Sequence, residues 1–92
     1  MEFECDAAKN RNNFVKHGVL FAYAVRAFLD PYRTDWIDSR RDYGEERRIT
    51  LGKIGGRLFV VTYTLRGPAV RIVSARKANI REQKAHDNAV SA

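Results

Sequence analysis

The sequence predicts an α+β domain: two N-terminal helices packed on an antiparallel sheet of three or four strands, followed by a C-terminal helix. Three observations predict it. A helix near the N-terminus carries a cap signal at each end, an apolar stripe of helical period follows it, and three β-rich runs are separated by glycine-containing turns.

Residues 3–5 are too short to assign alone and read as a short opening strand. Asp6 is a good N-cap for a helix over 7–17. Gly18 stops that helix, since glycine takes the left-handed conformation at little cost, and Lys16 and His17 put positive charge at the negative end of its dipole. Phe21, Ala24, Val25 and Phe28 then fall at i, i+3, i+4 and i+7, one stripe of a second short helix that Asp30-Pro31 ends.

The stretch 33–48 is crowded with both charges and reads as a solvated loop, with an edge strand around Trp36 over 34–38. Runs over 48–54, 57–65 and 69–75 are β-rich, and Gly55-Gly56 and Gly67-Pro68 separate them. Such short connections make a meander of antiparallel hairpins. Residues 76–86 hold helix formers with only a thin apolar stripe. One domain over 1–86 and a frayed tail over 87–92 complete the expected organisation.

At 92 residues, a single core buries roughly 60 to 65% of the surface that the unfolded chain exposes. Seventeen Lys and Arg against eleven Asp and Glu give a net charge of +6, and twelve of those cations are Arg, whose planar donors suit phosphate and base edges. Nucleic acid is the leading partner class, an acidic protein the second. The one cysteine forms no internal disulfide, no run of about 18 apolar residues is present, and residues 1–6 lack a secretory pattern, so the cytoplasm is the expected compartment.

Alternation along the last strand puts Arg71, Val73 and Ala75 on one face and Val70, Ile72, Ser74 and Arg76 on the other, one arginine of this pair on each. Phe59, Val61, Tyr63 and Leu65 share a face of the central strand. A sheet lined by Arg and Tyr grips phosphates and stacks a ring on an unpaired base; Tyr63 is equally suited to packing within the sheet. His17 fits either a general base or a helix-end residue, and Glu46 either a salt-bridged strand start or a proton acceptor. Two histidines and one cysteine, widely spaced, give no metal site, and Gly52, Gly55 and Gly56 punctuate hairpins without opening a phosphate-binding helix. Neither metal nor cofactor is expected.

Phe3-Glu4-Cys5-Asp6, Lys9-Asn10, Asn13, and Lys16-His17-Gly18-Val19 with Phe21 resemble the opening of BrnT toxins. Tyr43-Gly44-Glu45-Glu46-Arg47, Gly52, Val60-Val61, Tyr63-Thr64, Arg66-Gly67 and Arg71-Ile72-Val73-Ser74-Ala75-Arg76 match the family's second half in order and spacing. The resemblance spans about residues 3–82. One departure is Cys5, where the family usually carries Trp, so a smaller side chain is expected to fill that part of the core.

The resemblance implies a RelE-like fold, metal-independent RNA cleavage that blocks translation, and a BrnA-like antitoxin of the ribbon-helix-helix type. Operator DNA is then reached only through the antitoxin. Carried onto matching positions, it implies Arg71 and Arg76 as phosphate and transition-state ligands, Arg66 and Tyr63 assisting, and Glu46 for proton transfer or arginine orientation. Arg47, Arg57, Lys77 and Arg81 are expected to add RNA contacts. The antitoxin is expected to cover the basic face at least partly. The rival reading is a non-catalytic module that binds RNA or antitoxin in operon autoregulation.

Overall fold

In the computed structural model, which describes residues 1–91, Asp6 accepts the Lys9 N–H at 3.0 Å and opens helix α1, Ala7–His17. The Gly18 N–H donates to the Phe14 carbonyl at 2.8 Å and closes it. Helix α2, Phe21–Ala24, is one turn that tightens into a 3-10 helix over Val25–Leu29. The predicted stripe is the buried one: Phe21 and Ala24 lie in the core, with Val25 and Phe28 packed against it.

Five strands, where three or four were expected, form the sheet: β1 (Glu2–Cys5), β2 (Thr34–Ile37), β3 (Arg48–Ile54), β4 (Arg57–Arg66) and β5 (Ala69–Lys77), in the spatial order β1-β5-β4-β3-β2. The meander from β2 to β5 is antiparallel as predicted. The sheet as a whole is mixed, because β1 lies parallel to β5. The N-terminal helices and the strands β2, β3 and β4 all lie between β1 and its partner, so nothing local to residues 2–5 announces the pairing.

Helix α3 spans Ile80–Ser91, later than expected, because β5 continues to Lys77. Its start is a reciprocal capping box: Asn79 Oδ1 accepts the Glu82 N–H at 2.8 Å, and Glu82 Oε1 accepts the Asn79 N–H at 2.9 Å. Residues 87–91, read as tail from the sequence, belong to this helix, and Ala92 lies outside the described residues. Among the described residues no helix is long and apolar enough to cross a membrane.

Helices α1 and α2 cover one face of the sheet, where Phe21, Val61, Ile72 and Ala75 form the main core. Two asparagines of α1 fasten this layer. Asn10 Oδ1 accepts the Phe21 N–H at 2.9 Å, and Asn13 fills a gap along the edge of β5, donating to the Ala75 carbonyl and accepting the Ala75 N–H. Cys5 does not fill core: it is exposed and lines an open hollow of about 310 Å³ with Phe3, Phe21 and Ile72.

Gly52 is no hairpin residue either, since it sits within β3 opposite Phe59. A Cβ there would lie 2.3 Å from the Ala27 carbonyl oxygen, so the 3-10 helix approaches β3 as closely as it does only over a glycine. Gly52→Ala is expected to cost about 1–3 kcal/mol through overpacking. A denaturant midpoint unchanged from wild type would show that the helix yields freely.

Candidate nucleic-acid interface

Cross-strand pairing settles which side chains share the face away from α1 and α2. Thr62 pairs with Ser74 but Tyr63 pairs with Ile72, so Val73 is an extra residue, a β-bulge in β5. The bulge resets the alternation. Arg71 lies opposite Thr64 and Arg76 opposite Val60, and since Val60, Thr62 and Thr64 share one face of β4, both arginines stand on that face. The expectation of one arginine on each face is therefore corrected: simple alternation fails across an inserted residue.

This face is covered in part, since Ile49, Leu51, Leu58, Val60 and Ala78 form a second, smaller buried cluster on it. At one end α3 crosses it, with Arg76 held by both Glu82 oxygens at 2.8 Å and Lys53 3.6 Å from Asp87. At the other end the segment 38–47 folds over it around buried Asp38, which accepts two hydrogen bonds from the Arg40 side chain and one from the Tyr43 hydroxyl. The Arg47 guanidinium stacks on the Tyr43 ring at 4.1 Å, and its buried Nε has no hydrogen-bond partner. Beside it lies a basic depression with Lys9, Lys16, His17 and Ser74 in its wall. Between the two ends is a cleft of about 360 Å³ whose lining includes Trp36, Ile49, Val60, Thr62, Ser74 and Arg76.

The residues singled out from the sequence fall at several places. Arg76 is at the cleft, whereas Arg71, 3.3 Å from Glu4, stands about 13 Å farther along the strand by register. Arg66 is exposed at the end of β4, at the turn before β5. Glu46 is exposed before β3, 3.7 Å from Arg48, and its carbonyl accepts the Thr64 hydroxyl.

Tyr63 lies on the other face, beneath Phe28 with ring centroids 5.0 Å apart, and its hydroxyl donates to Asp35. Burial, and then that hydrogen bond, push its hydroxyl pKa up. Asp35 also binds Arg33 and Arg48 at 2.9 Å each, so this cluster ties β2 and β3 to the helical layer. Of the remaining four, Arg57 donates to the Ala78 carbonyl at 2.8 Å, Lys77 is on the helical face opposite Phe59, Arg81 is exposed on α3, and Arg47 alone stands on the open face. Among the described residues no cluster of three or more His, Cys, Asp or Glu is placed to hold a metal ion.

Sequence reasoning passed over Trp36, Glu82 and Asp38. Trp36 pairs with Ile49, which pairs with Thr62, so the indole stands on the open face, 44% exposed. Its pairing follows from alternation once β2 is accepted as a strand; Glu82 was legible only as a helix former.

The charges on this face are coupled to pH. Hydrogen bonds from Arg40 hold Asp38 well below the usual carboxylate range, and the hydrogen bond from Arg76 holds Glu82 below it. A depressed carboxylate stabilises the fold fully above its unfolded value, and the contribution is lost as pH falls through the lower folded value. Thermal stability is therefore expected to fall on acidification below about pH 4. The loss should be smaller in Asp38→Asn, measured by melting at pH 5 and pH 3; an equal loss would show that Asp38 contributes nothing to it.

A protein-family model described as "Ribonuclease toxin, BrnT, of type II toxin-antitoxin system" matches residues 5–82. No curated protein matches the chain.

Proposed function

Since the chain belongs to the BrnT family of ribonuclease toxins of type II toxin–antitoxin systems, we propose that RNA is bound and cut on the open face of its sheet, with Arg76 as ligand to the reacting phosphate. The observation that carries this reading is the bulge at Val73, through which Arg71 and Arg76 share a face that α1 and α2 leave free. Arg47 supports it, as a guanidinium whose Nε has no acceptor at hydrogen-bond distance and only a 3.8 Å ion pair with Glu45.

Metal-independent cleavage requires the ribose 2′-oxygen to bond to the adjacent phosphorus as the bond from phosphorus to the 5′-oxygen breaks. The product is a 2′,3′-cyclic phosphate. The charge that builds on the phosphoryl oxygens falls to Arg76, whose planar fork suits them. Arg71 and Arg47 hold flanking phosphates, while Arg66, Arg57, Lys77 and Arg81 supply peripheral charge. Glu82 orients Arg76 in the free protein. When phosphate takes over the guanidinium hydrogen bonds, Glu82 regains proton affinity and accepts the 2′-hydroxyl proton, while the departing 5′-oxygen takes its proton from solvent water and leaves as the 5′-hydroxyl of the downstream fragment. Glu46 orients Arg48, and Tyr63 is a positioning residue acting through Asp35. His17 lines the rim of the basic depression.

The antitoxin in this reading is BrnA-like, with a ribbon-helix-helix part that alone contacts operator DNA and acidic side chains that cover the open face. The setting is the cytoplasm, the fold RelE-like, and the outcome a block of translation. The test is induced expression of wild type and Arg76→Ala in bacteria, with growth followed and total RNA mapped for new 5′ ends. Arrest with fresh ends for wild type alone supports the proposal. Wild-type protein that binds RNA without cutting it would favour the non-catalytic reading.

A further inference from the structure

Trp36 is the chain's single tryptophan, and it stands on a strand at the edge of the sheet with nearly half its surface open. Its neighbours decide what that surface suits. Across the open face it is followed in register by Ile49, Thr62 and Ser74, a row of about 14 Å at the usual strand spacing. Ile49 and Val60 make an apolar floor, 7% and 6% exposed, while Thr62 and Ser74 add hydroxyls. Arg76 forms the opposite wall.

The cleft thus joins a flat aromatic face, an apolar floor, hydroxyls able to donate or accept, and a guanidinium. A peptide side chain uses one or two of these; an unpaired nucleobase with its phosphate uses all four, the ring on the indole and the anion on the arginine. The volume, about 360 Å³, is at the lower end of small-ligand clefts. Of the two acidic rim residues, Asp38 is neutralised by Arg40, and Glu82 yields Arg76 to the phosphate and takes up a proton as it does so.

We propose that this cleft is a nucleobase subsite in which Trp36 stacks on the base next to the phosphate held by Arg76, and so positions the RNA strand. This inference rests on the ribonuclease reading and adds to it a residue that sets where the strand lies. It assigns the stacking ring to Trp36 rather than to Tyr63.

The full chain carries its own probe, because the fluorescence of the one tryptophan reports stacking directly. Titration with a single-stranded oligonucleotide methylated at every 2′-oxygen, which binds but is not cut, should quench it saturably; the same oligonucleotide with abasic sugars should quench it far less. Trp36→Ala should weaken binding by about 5- to 100-fold, the range of one lost base stack, and Trp36→Phe should restore most of it. Wild-type binding without quenching, or equal affinity for Trp36→Ala, would overturn the subsite while leaving the ribonuclease reading intact. Quenching by the cognate antitoxin but not by RNA would give the cleft to a protein and overturn it too. A wild-type chain that neither binds nor cuts RNA would remove both readings.

Discussion

Arg76→Ala is expected to lower kcat/KM for RNA cleavage by about 100- to 1,000-fold, the usual cost of removing one donor to a developing oxyanion. The fold should survive, because the side chain is 40% exposed and its main partner, Glu82, keeps the capping bonds with Asn79. Arg76→Lys tests the geometry. A lysine restores the charge but not the two parallel hydrogen bonds, so it should recover only part of the loss. Steady-state rates on a defined RNA, with melting curves as a control, decide the matter. A loss under tenfold for the alanine variant would remove Arg76 from the reacting phosphate.

The second large effect concerns a residue that no chemistry requires. Asn13 is 7% exposed, and its amide donates to the Val19 and Ala75 carbonyls and accepts the Ala75 N–H, at 2.8–3.0 Å. Strand β1 pairs with β5 only as far as Ile72, and the bulge follows at once, so the backbone at Ala75 has no strand neighbour on that side. The side chain of Asn13 takes the place of one. Asn13→Ala leaves three buried backbone groups without partners at about 1–3 kcal/mol each, for a total on the order of 3–5 kcal/mol after local relaxation. Against a stability of roughly 5–14 kcal/mol for a chain of this length, that lowers the melting temperature by roughly 15 °C or more. A shift under 5 °C would show that water satisfies those groups.

What the sequence made legible was whatever depends on near neighbours. Asp6 and Gly18 bounded α1, the period of Phe21, Ala24, Val25 and Phe28 chose the buried face of the next helix, and glycine turns marked the meander. What it hid depends on contacts between distant residues. Residues 2–5 carry nothing to name β5 as a parallel partner, and the bulge at Val73 has no glycine or proline to mark it. That one residue decided the candidate site, because it moved Arg76 onto the face of Arg71. Tyr63 was misplaced for the converse reason: its strand alternates regularly, and the face shared with Phe59 and Val61 is the one the helices bury. Most of the stretch 33–48 looked solvated, apart from an edge strand over 34–38, because charge was counted residue by residue; Asp38, at the end of that strand, is buried with its charge matched by Arg40.

The central claim, cleavage of RNA by this chain's own side chains on the open face, is tested most directly with purified protein and a defined RNA in excess chelator. Cleavage at an unchanged rate, leaving 2′,3′-cyclic phosphate ends and lost in Arg76→Ala, is the predicted result. Intact RNA with folded wild-type protein, or cleavage that stops on chelation, would contradict it.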